Sequence, residues 1–156
     1  MDSRGVSPMI ATIVLIAIVF AVAAILALSL ASSPTPSPPF SGTLSLENVE
    51  NGRNVIVIKH IYGDRAPDVV DNVGPIKWKN LELRVNGVIV PAAQIIEIVT
   101  EGVRYTPPTS WPNKICSMVV GDRIRIQLTT ALTIGDEVVL KWVPKNQAIV
   151  EAKVTY

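Results

Sequence analysis

Residues 9–31 read MIATIVLIAIVFAVAAILALSLA, a run of 23 residues from Met9 to Ala31 without a charge, a glycine or a proline. As a helix rising ~1.5 Å per residue it is about 35 Å long, and about 20 apolar residues suffice to cross a bilayer core. A secretory signal has a shorter apolar region, roughly 7–15 residues, with its cleavage site behind it. Ser29-Leu30-Ala31 offers small residues at a spacing that signal peptidase would accept, but the run is long for that route. Ahead of it stand Met1 to Gly5, ending Arg4-Gly5, and then Val6-Ser7-Pro8. A short charged stub before a long apolar segment predicts a precursor clipped on the near side, so that the helix stays with the mature chain.

Working outward, Ser7 and Pro8 form a helix start: a Ser hydroxyl caps free N–H groups, and Pro at the first position loses no needed donor. Arg4 and the amino terminus lie before the run, and no charge follows it until Glu47. The positive side stays cytoplasmic, which places the bulk of the chain outside. Ala17, Ala21, Ala24, Ala27 and Ala31, spaced by three or four, share one helix face. Small residues let helix backbones approach closely, so the seam reads either as an Ala-rich lipid anchor or as a face that packs against copies of itself.

Arg4-Gly5-Val6-Ser7-Pro8-Met9-Ile10-Ala11-Thr12-Ile13, running into an Ile/Val/Ala-rich helix, resembles the amino terminus of archaeal type IV pilins with their class III signal peptides. Lys59-His60-Ile61-Tyr62-Gly63-Asp64 is similar to a stretch of that family's outer domain. The resemblance implies that a prepilin peptidase cuts between Gly5 and Val6, with Arg4 preceding the scissile bond. It also implies an assembly ATPase and a membrane platform protein as partners. Bacterial type IV pilins usually carry a Glu five residues into the mature chain; Ile10 stands there instead.

Residues 32–42, Ser-Ser-Pro-Thr-Pro-Ser-Pro-Pro-Phe-Ser-Gly, read as a semi-rigid Pro/Ser-rich linker. Residues 43–156 are long enough for one domain. Period-two alternation predicts strands at Leu81–Val85, Arg123–Leu128 and Val150–Val154, and the β-branched run Val55–Ile58 predicts a strand buried on both faces. Asn86-Gly87 is a strong hairpin signal and Asn51-Gly52 a second candidate. Gly121-Asp122 and Gly135-Asp136 each mark a turn before a strand. The expected fold is α+β: a leader at 1–5, a hydrophobic transmembrane or filament-core helix at 6–31, the linker at 32–42, and an extracellular, all-β antiparallel, immunoglobulin-like sandwich at 43–156.

The formal net charge is +1, and removal of Asp2 and Arg4 with the leader leaves it at +1. There is no basic run of the kind that binds nucleic acid. Cys116 is alone, so no disulfide forms within the chain, and a buried thiol is expected. Trp78, Trp111 and Trp142 are candidate core or subunit-contact residues, and the Pro-rich loop Pro107-Pro108-Thr109-Ser110-Trp111-Pro112 is a candidate exposed contact. His60 is the only histidine, no Gly-x-Ser-x-Gly elbow occurs, and no Gly-rich phosphate loop is present. Asp64, Asp68 and Asp71 near His60 form the one acidic cluster able to attract a hard cation, but Pro67 argues for an ordinary solvated turn. No catalytic activity, cofactor or metal is expected. No Asn-x-Ser/Thr sequon occurs.

The expected function is structural: a pilin of an archaeal adhesion filament, a homopolymer of identical subunits, anchored in the membrane with its amino terminus cytoplasmic before assembly. The rivals are an archaellin-type filament subunit and a singly anchored surface binding domain that never polymerises.

Overall fold

A computed structural model describes residues 8–31, 40–106, 110 and 113–155. The chain divides into two units, Met1–Pro38 and Pro39–Tyr156. The expected cap at Ser7, the Arg4-Gly5-Val6 junction, residues 32–39 of the linker and most of the 107–112 loop, Trp111 included, lie outside the described residues.

In the first unit, α1 spans Pro8–Ala31, 24 residues. Pro8 occupies its first position, where the missing N–H is no loss. Every side chain from Ile10 to Leu28 is exposed. A helix that is apolar all round belongs in a membrane or a protein core rather than at a water surface.

Among the described residues, the second unit holds twelve strands and two short 3-10 turns. The strands are β1 (Gly42–Glu47), β2 (Val55–Gly63), β3 (Ala66–Asp71), β4 (Lys77–Trp78), β5 (Leu81–Val85) and β6 (Val88–Ile89). They continue as β7 (Ile95–Thr100), β8 (Val103–Tyr105), β9 (Ile115–Met118), β10 (Arg123–Gln127), β11 (Glu137–Trp142) and β12 (Gln147–Lys153). The pairings are antiparallel and make three sheets, ordered β1-β2-β10-β7-β8, β12-β11-β5-β6 and β4-β3-β9. The α+β class and the antiparallel β domain therefore hold, with the strands in three hydrogen-bonded groups.

The alternating positions become the core. Ile56, Ile58, Ile124, Ile126 and Ile98 from the first sheet meet Leu81, Leu83, Val138, Leu140 and Trp142 from the second, and Val70, Cys116 and Met118 from the third. β2 lies between β1 and β10, and Val57 is buried as well as Ile56 and Ile58, as the continuous Val55–Ile58 run predicts. Asn86-Gly87 forms the two-residue turn between β5 and β6, with φ of 51° and 78°, the left-handed pair that such turns require.

The two Gly-Asp turns are built alike. Gly121 N donates to His60 O and His60 N donates to Asp122 O; Gly135 N donates to Val154 O and Val154 N donates to Asp136 O. In each, the Asp carboxylate accepts from the backbone N–H three residues earlier, Val119 to Asp122 at 2.8 Å and Thr133 to Asp136 at 2.7 Å. Both glycines have φ above 90°, a conformation that a Cβ disfavours. Each turn thus clamps the entrance of a strand, β10 or β11, to a neighbouring segment.

Asn51-Gly52 does turn the chain within the long connection of the antiparallel β1–β2 pair: Arg53 N donates to Glu50 O at 3.2 Å across it, while Gly52 N donates to Leu132 O and Leu128 N donates to Asn54 O, which pairs the loop with the 128–132 segment. One local expectation changes. Pro67 is not in a surface turn but in β3, at a bulge where the register shifts between Ala66 and Val70. Asp68 takes a φ of 52° there, and its N–H leaves the ladder to donate to Ser117 Oγ, so the bulge supplies the place that a proline inside a sheet needs. Phe40 packs against the core and Gly42 opens β1.

Candidate functional site

The helix α1 has an unmet physical requirement. Each large aliphatic or aromatic side chain left in water forgoes about 1.5–3 kcal/mol. Ile10, Ile13, Val14, Leu15, Ile16, Ile18, Val19, Phe20, Val22, Ile25, Leu26 and Leu28 are all exposed, and together they exceed the 5–15 kcal/mol that stabilises a typical domain. Ile10–Leu28 is long and apolar enough to cross a membrane, a property that signal sequences share. α1 carries Ala17, Ala21, Ala24 and Ala27 as an exposed row on one face; Ala31 is its last residue.

The sequence-nominated polar residues of the β unit are not gathered into a site. His60 is fully buried, and its Nε2–H donates to the Asp64 carbonyl at 2.8 Å. Asp68 pairs with Lys79 at 2.7 Å, and Asp71 with Lys77 at 3.3 Å while also accepting from Val73 N. Each of these two carboxylates therefore has its own cation. Among the described residues no group of three metal-ligating side chains is assembled. Cys116 is buried; burial pushes its thiol pKa up despite the nearby Lys114, so the nucleophilic thiolate is disfavoured. Trp142 is a core residue and Trp78 is half-buried, its Nε1–H donating to Val90 O at 2.6 Å. A groove of about 500 Å³ lies between the β5–β6 hairpin and the 128–133 segment. Its Asn86 and Asp136 are spent on each other at 2.8 Å.

One cluster was not nominated from sequence. Glu97, on β7, is only 2 % exposed, yet it lies on the outer face of the five-stranded sheet, paired across from Arg125. Its carboxylate receives Arg104 Nη2 at 2.6 Å and Arg123 Nε at 3.0 Å, with Arg125 Nη1 at 3.6 Å. Burial pushes the Glu97 carboxyl up, but the hydrogen bonds from Arg123 and Arg104 outweigh it and hold its pKa below the usual value. The alternation Arg123-Ile124-Arg125 told that these arginines share a face; that Arg104 and Glu97 join them follows only from strand order.

The class defined by these observations is an antiparallel β domain preceded by an apolar helix that the chain itself does not bury. No protein-family model matches the chain, and no curated protein matches it.

Proposed function

We propose that the chain is the structural subunit of an archaeal type IV adhesion pilus. The mature chain starts at Val6 after prepilin peptidase cuts behind Arg4-Gly5. α1 then leaves the bilayer and bundles with α1 of identical subunits, while the β unit faces the medium. The observation that carries this reading is α1 itself: one unbroken apolar helix, exposed all round, with a row of small residues on one face. Moving such a helix from lipid into a bundle exchanges one dry environment for another, so close packing along Ala17, Ala21, Ala24 and Ala27 supplies the drive. The assembly ATPase and the platform protein are partners that the amino-terminal resemblance implies. In this reading the role is non-catalytic, in keeping with a buried Cys116 thiol and with acidic side chains at positions 68 and 71 that are engaged by lysines.

Shearing cells and sequencing the released protein from its amino terminus tests this. Fibres whose subunits begin at Val6 support the proposal. A chain that appears only in detergent-extracted membranes supports the singly anchored surface domain, and one that begins at Ser32 supports ordinary secretion. Loss of swimming on deletion, with surface attachment intact, supports the archaellin-type filament. Gly5→Leu is expected to block maturation; normal processing of that variant would move the scissile bond elsewhere.

A further inference from the structure

The outer face of the five-stranded sheet carries more positive charge than its own carboxylates balance. The register sets out its rows. Glu47 pairs with Val57, Val57 with Arg125 and Arg125 with Glu97. In the next row Ser45 pairs with Lys59, Lys59 with Arg123, Arg123 with Val99 and Val99 with Arg104. With strands about 4.8 Å apart, Lys59, Arg123 and Arg104 form a band of cations running across the strands, with Arg125 beside it. Glu47 is taken up by Lys59 at 3.5 Å, and the single buried Glu97 serves all three arginines. Two positive charges are left over.

The arginines are also available. Their side chains are 61 %, 47 % and 41 % exposed for Arg104, Arg123 and Arg125, while that of Glu97 is 3 % exposed. A guanidinium has five N–H donors. Among the described residues, Arg104 and Arg123 each spend one on Glu97, and Arg125 approaches it as an ion pair. Glu97 therefore acts as a buried post that orients the guanidinium groups from beneath and leaves their outward N–H groups for a second oxyanion, in the fork geometry that suits carboxylate and sulfate.

We propose that this face binds a linear polyanionic glycan, carboxylated or sulfated, laid across the strands along Lys59, Arg123 and Arg104. The proposal takes the extracellular placement of the β unit from the function proposed above, but does not require polymerisation. A protein partner is disfavoured because Val57 and Val99 lie low among charged side chains and the two rows contain no aromatic anchor of the kind that dominates protein interfaces. A nucleic acid strand is disfavoured because the same rows offer no aromatic ring on which bases would stack.

The test uses the full-length chain dispersed in non-ionic detergent, with polygalacturonate, heparin, dextran and oligo-dT as probes. Saturable, salt-sensitive binding of polygalacturonate or heparin, without binding of dextran, is expected, and the tighter of the two names the anion. Arg123→Gln with Arg125→Gln is expected to weaken that binding by about tenfold or more, the scale of losing charge-assisted contacts. Lys59→Gln, which leaves the Glu97 cluster intact, is expected to weaken it in the same direction, and it serves if the double variant does not fold. Lys153→Gln, outside the two rows, is expected to change nothing. Absent glycan binding, binding indifferent to both Lys59→Gln and the arginine pair, or tighter binding of oligo-dT would overturn the proposal. Fibre formation is scored separately, so a chain that binds glycan without forming fibres sinks the filament and not the site.

Discussion

The Phe40 ring lies stacked on the Trp142 indole, with centroids 4.8 Å apart and planes inclined by 21°. The same ring meets His60 in a T-shaped contact, with centroids 6.1 Å apart. The last residues before β1 are thereby locked to the end of β11, and the β unit begins with an aromatic peg. Phe40→Ala is expected to destabilise the β unit by about 2 kcal/mol, the lost burial plus the lost ring pair. Gly42→Ala is expected to act in the same direction, because a Cβ there collides with the Phe40 ring and touches the Asp64 carbonyl. Urea unfolding followed by tryptophan fluorescence measures both; an unchanged midpoint for Phe40→Ala would mean that the stack contributes nothing.

Asp122 is the costlier of the two turn carboxylates to remove. It is buried and accepts from Val119 N, Glu101 N and Gly102 N at 2.8, 2.8 and 3.1 Å. Asp122→Ala strands those donors at the entrance of β10 and is expected to cost about 3 kcal/mol or more. Asp122→Asn keeps an acceptor and is expected to cost less. At the sister turn, Asp136 accepts from Thr133 and Asn86 on the surface, so Asp136→Ala is expected to be the milder change. A reversed order in thermal melts would refute the ranking.

Stability is expected to fall on acidification. Glu97, Asp71 and Asp136 all have carboxyl pKa values lowered in the fold, from ordinary values of 4.5 for Glu and 3.8 for Asp. At Glu97 burial works against the shift and the Arg123 and Arg104 hydrogen bonds prevail. At Asp71 the Val73 N–H is the largest cause, and at Asp136 the Asn86 side chain is. Between the folded and unfolded values the unfolded chain binds more protons, so stability rises with pH there. The contribution is complete above the ordinary values and is lost as pH falls through the folded ones. Glu97→Gln is expected to flatten that acid limb, so the gap between wild type and variant in denaturant midpoint narrows from pH ~7 to pH ~3. A gap that stays constant would show that Glu97 carries none of the pH dependence.

In the proposed filament the alanine row must stay small. Ala21→Leu and Ala24→Leu are expected to abolish fibres without harming membrane insertion, since Leu is as welcome in lipid as Ala but holds helix backbones apart. Ile25→Leu, which conserves volume, is expected to leave fibres intact. Electron microscopy of sheared material scores the first effect and membrane fractionation the second. Abundant fibres from Ala24→Leu would remove the alanine face from the packing.

Much of the fold was legible along the chain. The α1 run, the alternation at Leu81–Val85 and Arg123–Leu128, the Asn86-Gly87 turn and the two Gly-Asp turns each depend on contacts or dihedrals within a few residues. Pro67 departs from its local reading because its chemistry yields to a distant partner: Ser117 lies opposite the bulge at Asp68. The Glu97 cluster left no local signature, since its members come from β7, β8 and β10.

By itself the sequence determined a helix that no water-facing surface can accommodate and a β unit whose apolar positions repeat every second residue. Helical hydrogen bonds close within one turn, and the faces of a strand alternate whatever lies beside it. Which strand lies beside which was decided only in three dimensions. The order β1-β2-β10-β7-β8 sets Glu97 against Arg125 and near Arg104 and Arg123, because period two specifies a face and leaves the neighbour to the packing of the whole core.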